Sequence, residues 1–177
     1  MRRTFAFPLL GIATTALVAC QRGYEYSPPA LPPQAAAIIT GSKLHNPDPF
    51  KDDTRAYLVA IVGKLTLDGP RGWDDRTVVA PGTHAFKLGV ARGPGTAWGF
   101  GETQASLEGG KTYVIRAIEP VQITSVCATS VVWLEGDDGS AITDRVPVVI
   151  GTYTGGEAPL PGGGFVNIPS HTTCPTK

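Results

Sequence analysis

The sequence predicts an all-β protein: an antiparallel β-sandwich with a proline-rich N-terminal tether and an irregular C-terminal tail. Short segments alternate apolar and polar residues at the two-residue period of a half-buried strand. The 177 residues include 22 Gly and 16 Pro, which favour many turns between short strands. After position 20, no segment keeps apolar residues at amphipathic-helix spacing over three turns.

Residues 1–19 have the features of a signal peptide. Arg2 and Arg3 give a positive start, and the 15 residues of Phe5–Ala19 carry no charge. That run is shorter than the ~20 residues of a membrane-spanning helix and suits a signal-peptide core. It ends in Leu17-Val18-Ala19-Cys20, which resembles the lipobox of bacterial lipoproteins, whose cysteine is acylated before cleavage. The alternative is an ordinary signal peptide beside a chance cysteine.

Acylation of Cys20, with palmitate-type chains, predicts a protein anchored to a membrane without crossing it, because two or more acyl chains bind a bilayer stably. In the enterobacterial sorting pattern, an aspartate after the cysteine retains a lipoprotein at the inner membrane. Gln21 stands there instead, so an outer-membrane location facing the periplasm is expected. Arg2-Arg3-Thr4-Phe5 resembles part of a twin-arginine motif, so Sec and twin-arginine export both stay open.

The composition of the mature chain excludes one class of partner. Removal of residues 1–19 leaves 158 residues, with 13 Lys and Arg against 15 Asp and Glu, a net charge of −2. Binding to nucleic acid depends on a basic excess that neutralises phosphates, so nucleic acid is not expected as a partner. The length fits a single domain.

Residues 20–34 are predicted to form the lipidated tether. Four of the six positions from Pro28 to Pro33 are proline, which holds the backbone extended and gives the tether a reach of roughly 40–50 Å. The sandwich follows over residues 35–154, and the Gly/Pro-rich tail occupies residues 155–177. Residues 92–101 are predicted to form a loop. The predicted strands cover residues 36–40, 57–67, 77–80, 86–90, 104–107, 112–118, 131–134, 141–142 and 146–150.

Several of these segments resemble a known domain type. Leu65-Thr66-Leu67-Asp68-Gly69, then Val78-Val79-Ala80-Pro81-Gly82-Thr83-His84, then Phe86–Val90 are similar to the rhythm of PEGA-type and carboxypeptidase-regulatory-like sandwich domains. Gly110-Lys111-Thr112-Tyr113 and the segment from Val132 to Gly139 resemble the second half of small uncharacterised bacterial lipoproteins with that rhythm. The resemblance covers about a third of the chain and implies a fold, without implying an activity.

Two cysteines remain once Cys20 is acylated. Cys127 and Cys174 form an even pair, which in an oxidising compartment predicts a disulfide. The bond would hold the tail against the sandwich, and chain entropy assigns it about 4 kcal/mol. Two free buried thiols are the alternative.

No catalytic or cofactor motif occurs in the sequence, so a non-enzymatic protein without a cofactor is expected. His45, His84 and His171 are isolated, and His84 is predicted to be a packed strand residue. Two acidic segments raise the question of calcium, but both lack the EF-hand spacing and suit turns, so no metal site is predicted. Their acidic and amide residues are Asn46, Asp48, Asp52, Asp53, Asp137 and Asp138.

Trp73 and Trp98 lie in segments predicted to be loops and are the candidates for contact with a ligand or partner. Both could instead cap the sandwich core, whereas Trp133 is predicted to lie in the core. The expected function is that of a membrane-anchored envelope lipoprotein that contacts another envelope protein or the cell-wall polymer. The alternative is a module that binds carbohydrate or a small ligand through the loop tryptophans.

Overall fold

The computed structural model describes residues 25–49, 51–66, 69–93, 97–159, 165–171 and 174. The predicted signal peptide, Cys20 and Gln21 lie outside these residues. Within the described ranges the chain is all-β, with a single 3-10 turn at Pro33–Ala35 and no α-helix. None of the described residues belongs to a helix that could span a bilayer. The twelve strands are β1 Ala37–Thr40, β2 Ser42–Leu44, β3 Thr54–Ile61, β4 Lys64–Leu65, β5 Thr77–Val79, β6 Gly82–Arg92, β7 Ala97–Leu107, β8 Thr112–Ala117, β9 Val121–Gln122, β10 Cys127–Glu135, β11 Val146–Pro159 and β12 Phe165–His171.

The strands form a mixed sheet that curls into a half-barrel. Its order is β2-β3-β6-β7-β11-β10-β8-β1-β5, and β4, β9 and β12 each pair with one strand of this path. All these strand pairs are antiparallel except β1 with β8, which corrects the purely antiparallel prediction. The curl brings β2 back to β8, where Ser42 Oγ donates a hydrogen bond to the Ile115 carbonyl at 2.5 Å. A two-sheet sandwich is therefore not confirmed.

The core lies on the inner face of the curl. The predicted inward set Phe86, Leu88 and Val90 is fully buried, as is Ile115 on β8. On β7 the inner positions include Gly99 and Gly101. A Cβ at Gly101 would lie 2.8 Å from Val146 Cγ1 and 3.2 Å from Val132 Cγ1, so valines of β10 and β11 fill the space that glycine leaves.

Two predicted boundaries are wrong. Residues 57–67 are not one strand, because the chain reverses at Val62 and Gly63, which both adopt positive φ (49° and 75°). Residues 92–101 are not all loop, because β7 begins at Ala97 and pairs with β6 along its whole length. At residues 141–142, the structure has only an isolated bridge from Ala141 to Glu135.

The tail was predicted to be irregular, and the structure corrects this as well. β11 runs to Pro159, well past the predicted boundary at position 155, and pairs with β12 from Tyr153 with His171 to Pro159 with Phe165. Backbone hydrogen bonding along the hairpin compensates for the many glycines and prolines that weaken a strand.

The proline-rich segment is not a free tether over its described part. Residues 25–35, which we call the strap, cross one end of the curled sheet. Tyr26 donates its amide N–H to the Leu65 carbonyl at 2.8 Å and its hydroxyl to the Val78 carbonyl at 3.0 Å. The Tyr26 ring packs against the core, and burial raises the pKa of its hydroxyl. Beyond the strap, Ala36 accepts a hydrogen bond from the Gly110 amide at 2.8 Å.

Candidate functional site: a cleft opposite the strap

A cleft of about 690 Å³ opens at the end of the sheet opposite the strap. β3 connects the two ends: Thr54 begins it at the cleft, and Ile61 ends it beside the turn that contacts the strap. The cleft lies between the loop after β2 and the connection from β8 to β9. Its described lining consists of Leu44, His45, Asn46, Pro47, Lys51, Arg92, Glu119, Pro120 and Gln122.

Glu119 is at the centre of a hydrogen-bonded network in this cleft. Its carboxylate accepts hydrogen bonds from Asn46 Nδ2 at 3.0 Å and from Thr54 Oγ1 at 3.1 Å. Arg92 Nη2 lies 4.0 Å from the same carboxylate. Thr54 and Asn46 are buried, so the carboxylate is held by groups that have left solvent. Three separate strand ends thereby meet at one fixed negative charge.

Arg92 supplies a positive charge to the cleft, beside Lys51, and is itself fixed in place. Nη1 donates to Gln122 Oε1 at 3.0 Å, and Nη2 donates to the Pro120 carbonyl at 3.3 Å. Its Nε is buried and has no hydrogen-bond partner. The guanidinium therefore joins the end of β6 to the connection after β8.

Asp53 organises the loop that forms the other wall. Its carboxylate accepts the Asn46 amide at 3.0 Å, lies 3.2 Å from Lys43 Nζ, and lies 2.9 Å from His45 Nδ1. The Asn46 amide first, and then Lys43, lower the pKa of Asp53. Asp53 thus stays ionised and positions His45 at the mouth of the cleft.

The cleft presents amide, carboxylate, guanidinium and ammonium groups. The described residues that line it include no Ser, Thr or Cys. The other histidines lie elsewhere: His84 Nε2 is 2.8 Å from the Ala80 carbonyl, as expected of a packed strand residue, and His171 ends β12.

The acidic segments serve as turns in the structure. Asn46 Oδ1 accepts the Asp48 amide at 3.0 Å, and Asp138 Oδ1 accepts the Ser140 amide at 2.9 Å and hydroxyl at 2.6 Å. Among the described residues, no group of three or more His, Cys, Asp or Glu has the geometry to hold a metal ion. Asp52 lies in the same loop, beside Gly93, where a Cβ would meet its carboxylate at 2.7 Å.

Exposed aliphatic side chains occur on the segments that form the cleft. The connection from β8 to β10 exposes Ile118, Val121, Ile123 and Val126, and Leu44, at the end of β2, is exposed and lines the cleft. We call these five residues the aliphatic rim. Val121 is the most exposed of them, at 64%. Apolar side chains that cluster around a polar depression are typical of a surface that contacts another molecule.

The tryptophans are not loop anchors of this cleft. Trp98 lies on β7, half-buried between Ala91 of β6 and Gly151 of β11. Trp73 is half-buried in a turn whose start is held by Arg55, because Arg55 Nη1 donates to the Pro70 carbonyl at 3.1 Å. Gly41 lets the Trp73 carbonyl approach closely, since a Cβ there would clash with it. Neither lines the cleft.

Trp133, which was predicted to lie in the core, is on the opposite face of β10 from the buried Val132 and Leu134. Arg145 covers its ring at 4.7 Å, so a cation–π contact takes the place of core packing.

The structure contains the predicted disulfide between Cys127 and Cys174, with their Cα atoms 5.8 Å apart. It joins the start of β10 to the chain that follows β12, so the C-terminal hairpin is held at the cleft end of the sheet.

Sequence reasoning singled out His45, Asn46 and Asp53 without placing them in a cleft, and it missed Arg92 and Glu119. Glu119 and Arg92 each stand at the end of an apolar strand, which is the only local signal that they carry. Their proximity depends on the pairing of β3 with β6 and on the curl that brings β3 near β8.

Comparison of the chain with protein-family models, curated proteins and solved structures gave no match.

Proposed function

We propose that this protein is an exported lipoprotein, anchored through Cys20 to the outer membrane and facing the periplasm, that acts by binding and not by catalysis. The observation that carries the proposal is Leu17-Val18-Ala19-Cys20 at the end of an uncharged 15-residue run. The Cys127–Cys174 disulfide supports it, because structural disulfides persist in oxidising compartments such as the periplasm.

The cleft end is the proposed contact surface, and an envelope protein is the partner that it favours. The strap leads towards Cys20 from one end of the sheet, and the cleft opens at the other, so an anchored domain presents its cleft away from the attachment point. The aliphatic rim favours a protein over the cell-wall polymer, since protein interfaces bury apolar side chains around a few charged groups. Arg92 and Glu119 supply those charges.

A photo-crosslinking amino acid placed in intact cells tests this proposal. Replacement of Val121 should give a discrete adduct that mass spectrometry identifies as an envelope protein. Replacement of Val62, which is equally exposed at 63% but lies at the strap end, is the matched control and should not give that adduct. The Ile123→Asp variant should reduce adduct formation. The same adduct from both positions, or none from Val121, would argue against the cleft end.

The anchor is tested separately by labelling with a fatty acid. The wild type should incorporate the label and Cys20→Ser should not, because the thiol is the acyl acceptor. Equal labelling of both proteins would exclude Cys20 as the attachment site.

A second candidate function is the binding of a small polar ligand, such as a sugar unit of the envelope. The cleft favours it: about 690 Å³ accommodates a small ligand, and amide, carboxylate and guanidinium groups suit hydroxyl recognition. Calorimetric titration with cell-wall fragments should show binding that Glu119→Gln weakens. Absence of heat with every fragment would favour the protein partner.

We also propose that the chain is related to PEGA-type and carboxypeptidase-regulatory-like domains. This relationship would imply that the curled sheet packs as a two-layer sandwich. It rests on the turn and strand rhythm from Leu65 to Val90.

A further inference from the structure

The docking of the strap shortens the connection between the proposed lipid and the folded domain. Glu25 forms a bridge to Leu65, so the domain begins five residues after Cys20. Five residues of fully extended chain span at most ~18 Å. A free tether over residues 20–34 would have allowed roughly 40–50 Å. If Cys20 is acylated, the strap end therefore stays within reach of the membrane surface.

The strap end exposes apolar side chains where this constraint applies. Val62 is 63% exposed and Leu65 is 53% exposed, while Leu31 on the strap is 38% exposed. Val62 lies in the turn between β3 and β4, and Leu65 ends β4, where Glu25 and Tyr26 contact it.

Hydrogen bonds hold this turn in an unusual conformation. The Val62 amide donates to the Ala85 carbonyl at 2.8 Å, and the Thr66 amide donates to the Val59 carbonyl at 2.9 Å. Val62 has a φ of 49°, a left-handed conformation that a β-branched residue rarely adopts. The turn therefore holds Val62 in a strained conformation while 63% of the residue stays accessible to water.

Charged side chains at the strap end are placed so that they could face lipid headgroups. Lys64 lies between Val62 and Leu65 and is exposed, so its ammonium group can extend towards lipid headgroups while its stem stays apolar. Glu25 is also exposed, and Lys87 lies 3.9 Å from Glu102 in the neighbouring depression. These four charges cancel, so the attraction that we consider at this turn is the insertion of its apolar side chains.

We propose that Leu31, Val62 and Leu65 form a membrane-contact surface that rests in the headgroup region of the bilayer. The inference depends on the proposed acylation of Cys20 and adds an orientation to it: the strap end faces the lipid, and the cleft end faces away.

Lipid quenching of a fluorescent probe tests this orientation in the full acylated protein. With Cys20 acylated and Cys127 in a disulfide, the variants Val62→Cys and Val121→Cys each have a single free thiol for labelling with a polarity-sensitive dye. The two native valines are matched in type and exposure, at 63% and 64%. The protein is reconstituted in phosphatidylethanolamine and phosphatidylglycerol vesicles that contain lipids with a nitroxide near the headgroup.

We expect several-fold stronger quenching at Val62 than at Val121. Adding Leu65→Asp should lower the Val62 signal towards the Val121 level, whereas Leu44→Asp at the cleft end should leave it unchanged. Equal quenching at both positions, or none at Val62, overturns the inference, including the case in which the strap end binds a protein instead. The mass of the N-terminal peptide separates the two proposals. If Cys20 carries no acyl chains, the proposed anchoring fails and the inference fails with it. If Cys20 is acylated but the labels at positions 62 and 121 are quenched equally, only the inference fails.

Discussion

Removal of the Tyr26 side chain is the most direct test of the docked strap. Tyr26→Phe deletes the hydroxyl that donates to the Val78 carbonyl, and one such hydrogen bond contributes about 1 kcal/mol. Tyr26→Ala also removes a ring that packs on the core. Truncation of a fully buried aromatic residue costs about 3–5 kcal/mol, and Tyr26 is only half-buried, so about 2–3 kcal/mol is expected. For a domain of this size, the losses correspond to decreases in Tm of about 3 °C and about 8 °C.

Urea unfolding followed by tryptophan fluorescence measures these differences, and limited proteolysis with chymotrypsin reports on the strap itself. We expect Tyr26→Ala to accelerate cleavage within residues 25–35 before the sheet unfolds. Leu31→Ala, on the same strap but more exposed, is the control and should change stability by less than about 0.5 kcal/mol. If Tyr26→Ala matched the wild type in both assays, the strap would be an undocked tether, and the proposed short connection to the membrane would lose its basis.

Two further predictions concern the sheet. Cys127→Ala combined with Cys174→Ala should lower the free energy of unfolding by about 4 kcal/mol, because the disulfide closes a long loop across a sequence separation of 47. Urea unfolding measures this loss, and the reduced wild type should show the same loss. Unchanged stability would show that the hairpin needs no covalent link. Burial raises the pKa of Tyr57 to about 12, so the unfolded chain ionises first as the pH rises above about 10, and stability should fall by about 1.4 kcal/mol at pH 11. Tyr57→Phe should lose that component of the alkaline decline, and an identical pH profile in both proteins would contradict the assignment.

The elements that the sequence predicts well are those in which alternation and burial coincide. β6 and β8 each place one alternate set of side chains in the core, among them Phe86, Leu88 and Ile115, and both were predicted from that period alone. β5 and β10 also follow their predicted segments, although β10 is longer at both ends.

The predictions fail where glycine is used for close packing instead of for a turn. Gly99 and Gly101 suggest a loop because glycine weakens a strand, yet on β7 they admit the side chains of Val146 and Val148. The reverse occurs at Val62, where a β-branched residue predicts a continued strand and the chain turns. In both cases tertiary contacts determine the backbone, and no local pattern reports them.

Long-range strand pairing accounts for the other features that the sequence did not predict. The parallel pairing of β1 with β8 joins Ile39 to Tyr113, and such a pairing leaves no trace in the spacing of apolar residues. The cleft depends on the same non-local arrangement, because Thr54, Arg92 and Glu119 come from three distant segments. Their residue types were visible in the sequence, but their proximity was not.

The strap changes what a tethered domain of this kind can do. A long flexible tether would let the domain sample many orientations, and each contact with a partner would carry the entropic cost of fixing one of them. If Cys20 carries the lipid as proposed, a connection of at most ~18 Å with a docked strap would remove much of that freedom in advance. The eight residues of β3 separate the two ends of the sheet by roughly 23 Å, so the aliphatic rim would stand at a nearly constant height above the bilayer. With the proposed anchor, a partner embedded in or resting on the same membrane could then meet the cleft at a fixed distance, which would favour a neighbour in the envelope over a soluble ligand.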